Sequence, residues 1–386
     1  MKKLLVIHNK YREIGGEDIA VNNEVVLLKE KFIVEELYFA NDIKNYFLQA
    51  IYFIINKNFQ SLKQIENKIN EYKPDVVYIH NTWFKVSPAV FKTLEKYDDI
   101  EVIVKLHNFR FNCTKSYFSK NHLNSQSICK ACGMTKNKFS VFNKYYNDSY
   151  FRSLIVARFG KKYYKILKSQ KIKILTLTNF QKSFLINLGF DQNKLFVHRN
   201  YIDSNNIQNH QFDLNDTYIV YAGRISEEKG VEDVIKAYTS LSNPSFGLKI
   251  IGNGPQKRYL VRKYSDNKNL TFLGTLDNNI VKDIIKNSMA VVTGTLLYEG
   301  QPTLLCEASL MGVPSIFPNN GGIKEFFPED YRLIYQNKTE QNLIYQLNQL
   351  DLDLNIKEIG KENKKFISNL IGKEAYFESF NKVING

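Results

Sequence analysis

The stretch Tyr218-Ile219-Val220-Tyr221-Ala222-Gly223-Arg224-Ile225-Ser226-Glu227-Glu228-Lys229-Gly230 contains a short apolar run, a glycine, and a charged loop that opens a helix-length segment. The apolar run predicts a strand covered on both faces, and Gly223 predicts a sharp turn at its end. The same grammar recurs in both directions. Candidate strands lie at 4–8, 76–80, 102–106, 174–178 and 195–198, then at 218–222, 248–251, 270–273, 290–293 and 315–317. Helix-length, polar-periodic segments separate them. This alternation predicts an α/β chain with parallel sheets covered by helices, each half doubly wound. Ligands of such sheets sit beyond the carboxyl ends of the strands.

At 386 residues and 44% hydrophobic content the chain can build two cores, and disorder is excluded as its general state. The polar stretch 201–217, containing Asp203-Ser204-Asn205-Asn206, predicts the linker. The expected domains are therefore 1–203 and 204–365. A C-terminal helix over 366–386, overlapping a helix-like segment at 361–383, is expected to pack back on the first domain. The apolar run at the amino terminus is too short for a signal peptide and predicts a first strand. The longest apolar run, 46–55, is far below the ~20 residues that span a bilayer. Four cysteines in so long a chain do not suggest a disulfide scaffold, so the expected location is cytoplasmic.

The net charge of +14 predicts an anionic partner: nucleic acid, anionic lipid or a phosphorylated substrate. One segment concentrates it. Residues 150–175 carry Arg152, Arg158, Lys161, Lys162, Lys165, Lys168, Lys171 and Lys173 with no acidic residue, interleaved with Phe151, Leu154, Phe159, Tyr163 and Leu167. An amphipathic basic helix is expected there. Its polar face is either simply solvated or set against an anionic membrane surface, peripheral on the inner face of the cell membrane.

Two motifs of the second half point to chemistry. In the first, Arg224 and Lys229 follow a strand-ending Gly223, where an arginine fork and a lysine charge can hold phosphate oxygens. In the second, Thr295-Leu296-Leu297-Tyr298-Glu299-Gly300-Gln301-Pro302-Thr303-Leu304-Leu305-Cys306-Glu307, Pro302 marks a helix start; Gly312 and Pro314 mark its end. Glu299 then lies in the loop before the helix and Glu307 inside it. Free amides around Gly300, Gln301 and Thr303 favour an anion. Carboxylates for hydroxyl groups beside cations for a diphosphate fit a nucleotide sugar.

These pieces, together with Gly252-Asn253-Gly254-Pro255, Phe272-Leu273-Gly274, and Gly312 through Gly321-Gly322 and Glu325, resemble the family 4 (group 1) retaining glycosyltransferases. The resemblance implies the GT-B architecture, two facing Rossmann-like domains with an interdomain cleft. It implies that Glu299 contacts the donor sugar, Glu307 the nucleotide ribose, and Arg224 and Lys229 the diphosphate. In the first half it implies that Gly15 and Gly16 form a glycine-rich loop near the diphosphate, and that His107 lies by the donor sugar as a catalytic residue. His80 is expected on the acceptor side.

The activity implied is transfer of a sugar, with retention, from a nucleoside-diphosphate sugar to a lipid-linked or saccharide acceptor in bacterial surface polysaccharide synthesis. No cofactor and no metal are expected, because the cations and helix-start amides can neutralise the leaving diphosphate. Cys113 and the pair Cys129 and Cys132 have a zinc-like spacing, yet the fourth cysteine, Cys306, sits in the donor-side helix. The rival readings are a GT-B-type epimerase or phosphorylase-like enzyme, whose acid–base or cofactor signature is absent, and a basic nucleic-acid-binding protein. The second does not account for Glu299 and Glu307, and no nucleic-acid partner is expected.

Overall fold

The computed structural model describes the chain except residues 12–14, 42–44, 84, 115–143, 145, 147–148, 170, 204–216, 337–339, 353–354 and 386. It divides into two compact units, Met1–Tyr201 with Tyr376–Gly386, and Ile202–Ala375.

The first unit is built on a parallel sheet of β1 (Lys3–Lys10), β2 (Ile33–Ala40), β3 (Val76–Ile79), β4 (Glu101–Leu106), β5 (Lys173–Thr176) and β6 (Leu195–Val197), in the order β2-β1-β3-β4-β5-β6. Leu4, Leu5, Val6 and Ile7 are fully buried, as a strand with both faces covered requires. The order reverses direction between β1 and β3, so their carboxyl ends frame a crevice, the usual ligand position of this topology. The helix Gly16–Leu28 follows β1 through the glycine pair.

The second unit carries β7 (Tyr218–Ala222), β8 (Gly247–Ile251), β9 (Leu270–Gly274), β10 (Ala290–Val292), β11 (Ser315–Pro318) and β12 (Ile334–Tyr335), in the order β12-β11-β10-β7-β8-β9. Here the switch falls between β7 and β10. Those are the two strands that the Gly223 and Glu299 loops leave.

Two strands were not expected from sequence. β2 is an edge strand, half-exposed along most of its length, and the central Glu35 and Glu36 hide it. β12 is two residues long. The expected terminal helix at 361–383 is two helices, Ile356–Ile371 and Lys373–Asn385. Gly372 separates them in an extended conformation, and a β-carbon there would sit 2.4 Å from the Ser368 carbonyl oxygen. The first of the pair stays with the second unit. The second helix buries Tyr376, Phe377, Phe380, Val383 and Ile384 against Leu4, Val6, Phe32 and Tyr78 of the first.

The basic segment forms the helix Tyr150–Ser169. Its buried face carries Val156, Phe159, Tyr163 and Leu167; its outward face carries Phe151, Leu154, Arg158, Lys161 and Lys165. Beside it lies the helix Tyr46–Ile55, through a stack of Phe53 on Phe159 with centroids 5.5 Å apart. Lys162 ties the pair by donating to the Asn56 carbonyl at 3.4 Å.

Candidate functional site

In the second unit, glycines press the loops beyond the strands together. Gly230 has φ +62, and a β-carbon on it would lie 1.9 Å from the Gly294 carbonyl oxygen. The Leu296 amide donates to the Glu228 carbonyl at 3.0 Å. Gly252 is held as closely, its β-carbon position 1.9 Å from the Gly223 carbonyl oxygen. These backbone contacts bring the loops after β7, β8 and β10 together. Lys229 Nζ thereby reaches Glu299 Oε1 at 2.6 Å, and the Thr295 hydroxyl donates to the same oxygen at 2.9 Å.

Burial opposes the charge on Lys229, but the Glu299 carboxylate outweighs it and raises the ammonium pKa. Arg224 is exposed beyond Gly223, close enough to Lys229 to work against that rise. The Tyr221 hydroxyl braces the turn by donating to the Arg224 carbonyl at 3.0 Å. Two cations and one carboxylate therefore share one loop cluster.

The helix Thr303–Leu310 starts after Pro302, with Gly300, Gln301 and Pro302 buried and Thr303 half-buried. The amides of its first turn have no partner within the helix and favour an anion. Glu307 projects from the helix's second turn. Its nearest cation is Lys282, at 3.9 Å, rather than Arg224 or Lys229. Burial raises the Glu307 carboxyl pKa, and Lys282 partly offsets that. Thr295 and Lys282 escaped the sequence reading; a threonine or lysine facing a loop carboxylate has no spacing that betrays it.

In the first unit, Gly15 caps the helix Gly16–Leu28 and donates its amide to Asp18 Oδ2 at 2.9 Å. Asp18 also holds His8, Oδ1 to Nε2 2.8 Å. The Gly15 amide is thus engaged by the chain itself. The position a Gly16 β-carbon would take has no atom within 4 Å, so that backbone is open to approach.

His107, beyond β4, stands at a small cleft open to solvent and walled by Trp83, Phe111, Phe159 and Tyr163. Its Nε2 lies 2.9 Å from His80 Nδ1, the rings stacked 5.2 Å apart. Burial drives both imidazoles well below the usual histidine range, so both are neutral. Glu17, also on the cleft, accepts from the Tyr11 hydroxyl at 3.0 Å and from Asn108 Nδ2 at 3.3 Å. Burial pushes its carboxyl up to about 7 against the pull of Arg110. Arg110 lies over the Trp83 ring, 5.0 Å from its centroid.

Beneath the cleft, the fully buried Lys105 and Glu24 form an ion pair. The signal for it was present in the sequence: a lysine inside an apolar strand needs a buried acid.

Among the described residues no group of three or more His, Cys, Asp or Glu could hold a metal ion. Cys113 and Cys306 are buried and form no disulfide among the described residues. The Cys129 and Cys132 pair lies outside the described residues.

Residues 203–369 match the model of the family described as glycosyl transferases group 1. A stretch of 130 residues is 29% identical to the putative teichuronic acid biosynthesis glycosyltransferase TuaC of Bacillus subtilis, covering 34% of this chain and 32% of that protein. The chain thus spans about a third of that relative's length. Among solved structures, sucrose-phosphate synthase of Thermosynechococcus elongatus superposes with a TM-score of 0.72 at 14% identity, over 100% of this chain and 98% of that one. Alr3699/HepE of Anabaena, in complex with UDP and glucose, gives 0.66 at 13% identity over 100% of both chains. These two likenesses establish the GT-B fold.

Proposed function

We propose, from the match of residues 203–369 to the model of the glycosyl transferases group 1, that the protein transfers a sugar from a nucleoside-diphosphate sugar to a saccharide or lipid-linked acceptor, with retention at the anomeric carbon. The observation that supports it most is the cluster of Arg224, Lys229 and Glu299 at the β7/β10 switch. The bond from the anomeric carbon to the leaving phosphate oxygen breaks, and its electron pair stays with the diphosphate. Arg224, Lys229 and the amides opening the helix Thr303–Leu310 stabilise that charge. Glu299 takes donor-sugar hydroxyls and Glu307 the ribose. The acceptor hydroxyl bonds to the same face of the sugar and gives its proton to the departing diphosphate oxygen.

In the first unit we assign Gly16 and His107 to substrate binding, Gly16 for its open backbone and His107 for its place on the cleft. The aromatic walls beside His107 suit a sugar ring. The complex of Alr3699/HepE with UDP and glucose supports a uridine nucleotide as the first donor to try, and TuaC supports an acceptor in surface polysaccharide synthesis.

The test is a thermal-shift screen of nucleoside-diphosphate sugars followed by NMR of the product. A ligand bound by the folded state alone raises the melting temperature. A donor that stabilises the protein, and whose product keeps its anomeric configuration, supports the reading. A product of inverted configuration removes retention; no stabilisation by any donor removes the nucleotide-sugar site.

A second surface supports a peripheral membrane location. On the helix Tyr46–Ile55, Phe47, Ile51 and Ile55 recur four residues apart and are exposed, Phe47 to 78%. That helix contains no charged residue. Beside it the helix Tyr150–Ser169 offers exposed Phe151, Leu154, Arg158, Lys161 and Lys165. Apolar side chains bordered by cations suit the interface of an anionic bilayer. No helix among the described residues is long and apolar enough to cross a membrane.

A further inference from the structure

We infer that His80 is a positioning residue that donates its Nδ1–H to His107 Nε2 and so fixes the proton of His107 on Nδ1, the ring atom left to meet a substrate oxygen. The role of that proton in transfer rests on the function proposed above; its location does not.

Two neutral imidazoles facing each other at 2.9 Å admit two arrangements. In one, His107 Nε2–H donates to a His80 lone pair. That lone pair would then face Glu24 Oε2, 3.7 Å from His80 Nδ1, and the two would repel. The single proton of His80 would sit on Nε2, which is buried without a hydrogen-bond partner among the described residues. In the other, His80 carries its proton on Nδ1. The proton faces both the Glu24 carboxylate and His107 Nε2, and an unmet lone pair remains at His80 Nε2, a milder defect than an unmet N–H.

The surroundings hold this arrangement rigidly. Lys105 and the Tyr78 hydroxyl both bind Glu24, keeping the carboxylate in place below His80. His198 Nε2 stands 3.7 Å from the other Glu24 oxygen and donates or accepts through Nδ1 with the Ser379 hydroxyl at 2.8 Å. Burial above all, and then His107, His8, Lys105 and His198, oppose a charge on His80 and keep the donor neutral.

The test is ring-nitrogen NMR of the full chain labelled with ¹⁵N-histidine, with His107 assigned from a His107→Gln spectrum. The expected result is a protonated Nδ1 and an unprotonated Nε2 on His107. His80→Asn, whose amide nitrogen falls near the place of Nδ1, should keep that pattern; His80→Leu should lose it and lower kcat about tenfold or more with little change in KM. A wild-type His107 protonated on Nε2 overturns the inference, whether or not the variants fold. Wild-type kcat in a folded His80→Leu whose His107 tautomer has moved overturns the positioning role. Full transfer activity in His107→Gln would instead remove His107 from the proposed reaction and leave the tautomer result standing.

Discussion

The Lys229 ammonium sits 2.6 Å from the Glu299 carboxylate, and the Thr295 hydroxyl donates to the same oxygen. Side chains of the pair are 32% and 24% exposed, so the contact adds at most ~1 kcal/mol to stability. Its value lies elsewhere. The acid keeps the lysine charged, and the lysine and Thr295 hold the Glu299 side chain in place for hydrogen bonding to hydroxyl groups. Lys229→Ala or Glu299→Gln should leave the melting temperature nearly unchanged. Each should lower turnover about a hundredfold or more, the scale of losing one preorganised electrostatic contact, ~3 kcal/mol. Because the two act together, the double variant should fall well short of the product of the single losses. Nucleotide release measured with donor and acceptor checks this, and wild-type turnover in either variant removes the residue from the site.

The two glycine loops should respond in opposite ways to one methyl group. Gly230→Ala places a carbon 1.9 Å from the Gly294 carbonyl in a left-handed backbone, and should cost about 2 kcal/mol or more in urea unfolding. Gly16→Ala meets nothing within 4 Å at the start of a helix. It should leave stability unchanged or raise it by up to ~1 kcal/mol. If the Gly16 backbone approaches the donor diphosphate, the same variant weakens donor binding at full stability. Unchanged donor affinity in Gly16→Ala would remove that residue from the donor site.

Most of the strands could be read from the chain because a strand buried on both faces is a short unbroken apolar run, such as Val76-Val77-Tyr78-Ile79. β2 could not, since an edge strand tolerates Glu35 and Glu36 and loses the pattern. The single terminal helix expected across 361–383 missed the break at Gly372, a position beside the Ser368 carbonyl that leaves no room for a β-carbon. The chemistry of the second unit was legible because its residues lie in loops next to glycines and a proline. Lys105 inside an apolar strand signalled a buried acid, but that the acid is Glu24, 81 positions away, is set by the fold alone. So is the bond between His80 and His107.

Glu17 makes stability depend on pH in a direction unusual for a carboxylate. Its folded pKa is raised from 4.5 to about 7, chiefly by burial. Between those values the folded chain binds more protons than the unfolded one, so stability falls as pH rises. The contribution is fully present below the unfolded value and lost above the folded one. Glu17→Gln carries no such charge. Wild type should therefore lose stability relative to this variant when urea unfolding is repeated at about pH 5 and about pH 8. A constant difference between the two proteins would show that the carboxyl titrates normally.

The exposed apolar ridge and the basic face beside it should act together on a bilayer. Phe47, Ile51 and Ile55 can enter the acyl boundary, while Arg158, Lys161 and Lys165 are drawn to anionic headgroups at ~1 kcal/mol each. Lys162 is less suited to the test, since it donates to the Asn56 carbonyl and helps hold the two helices. Wild type should co-sediment with phosphatidylglycerol vesicles and much less with phosphatidylcholine vesicles. Reversing Lys161 and Lys165 to Glu should abolish binding to the anionic vesicles. Serine at positions 47, 51 and 55 should weaken binding and leave the residue sensitive to salt, because only the Coulomb part remains. Binding indifferent to both sets of changes would remove this face as the membrane contact. None of these substitutions alters Arg224, Lys229, Glu299 or His107, so transfer to a soluble acceptor should persist in each.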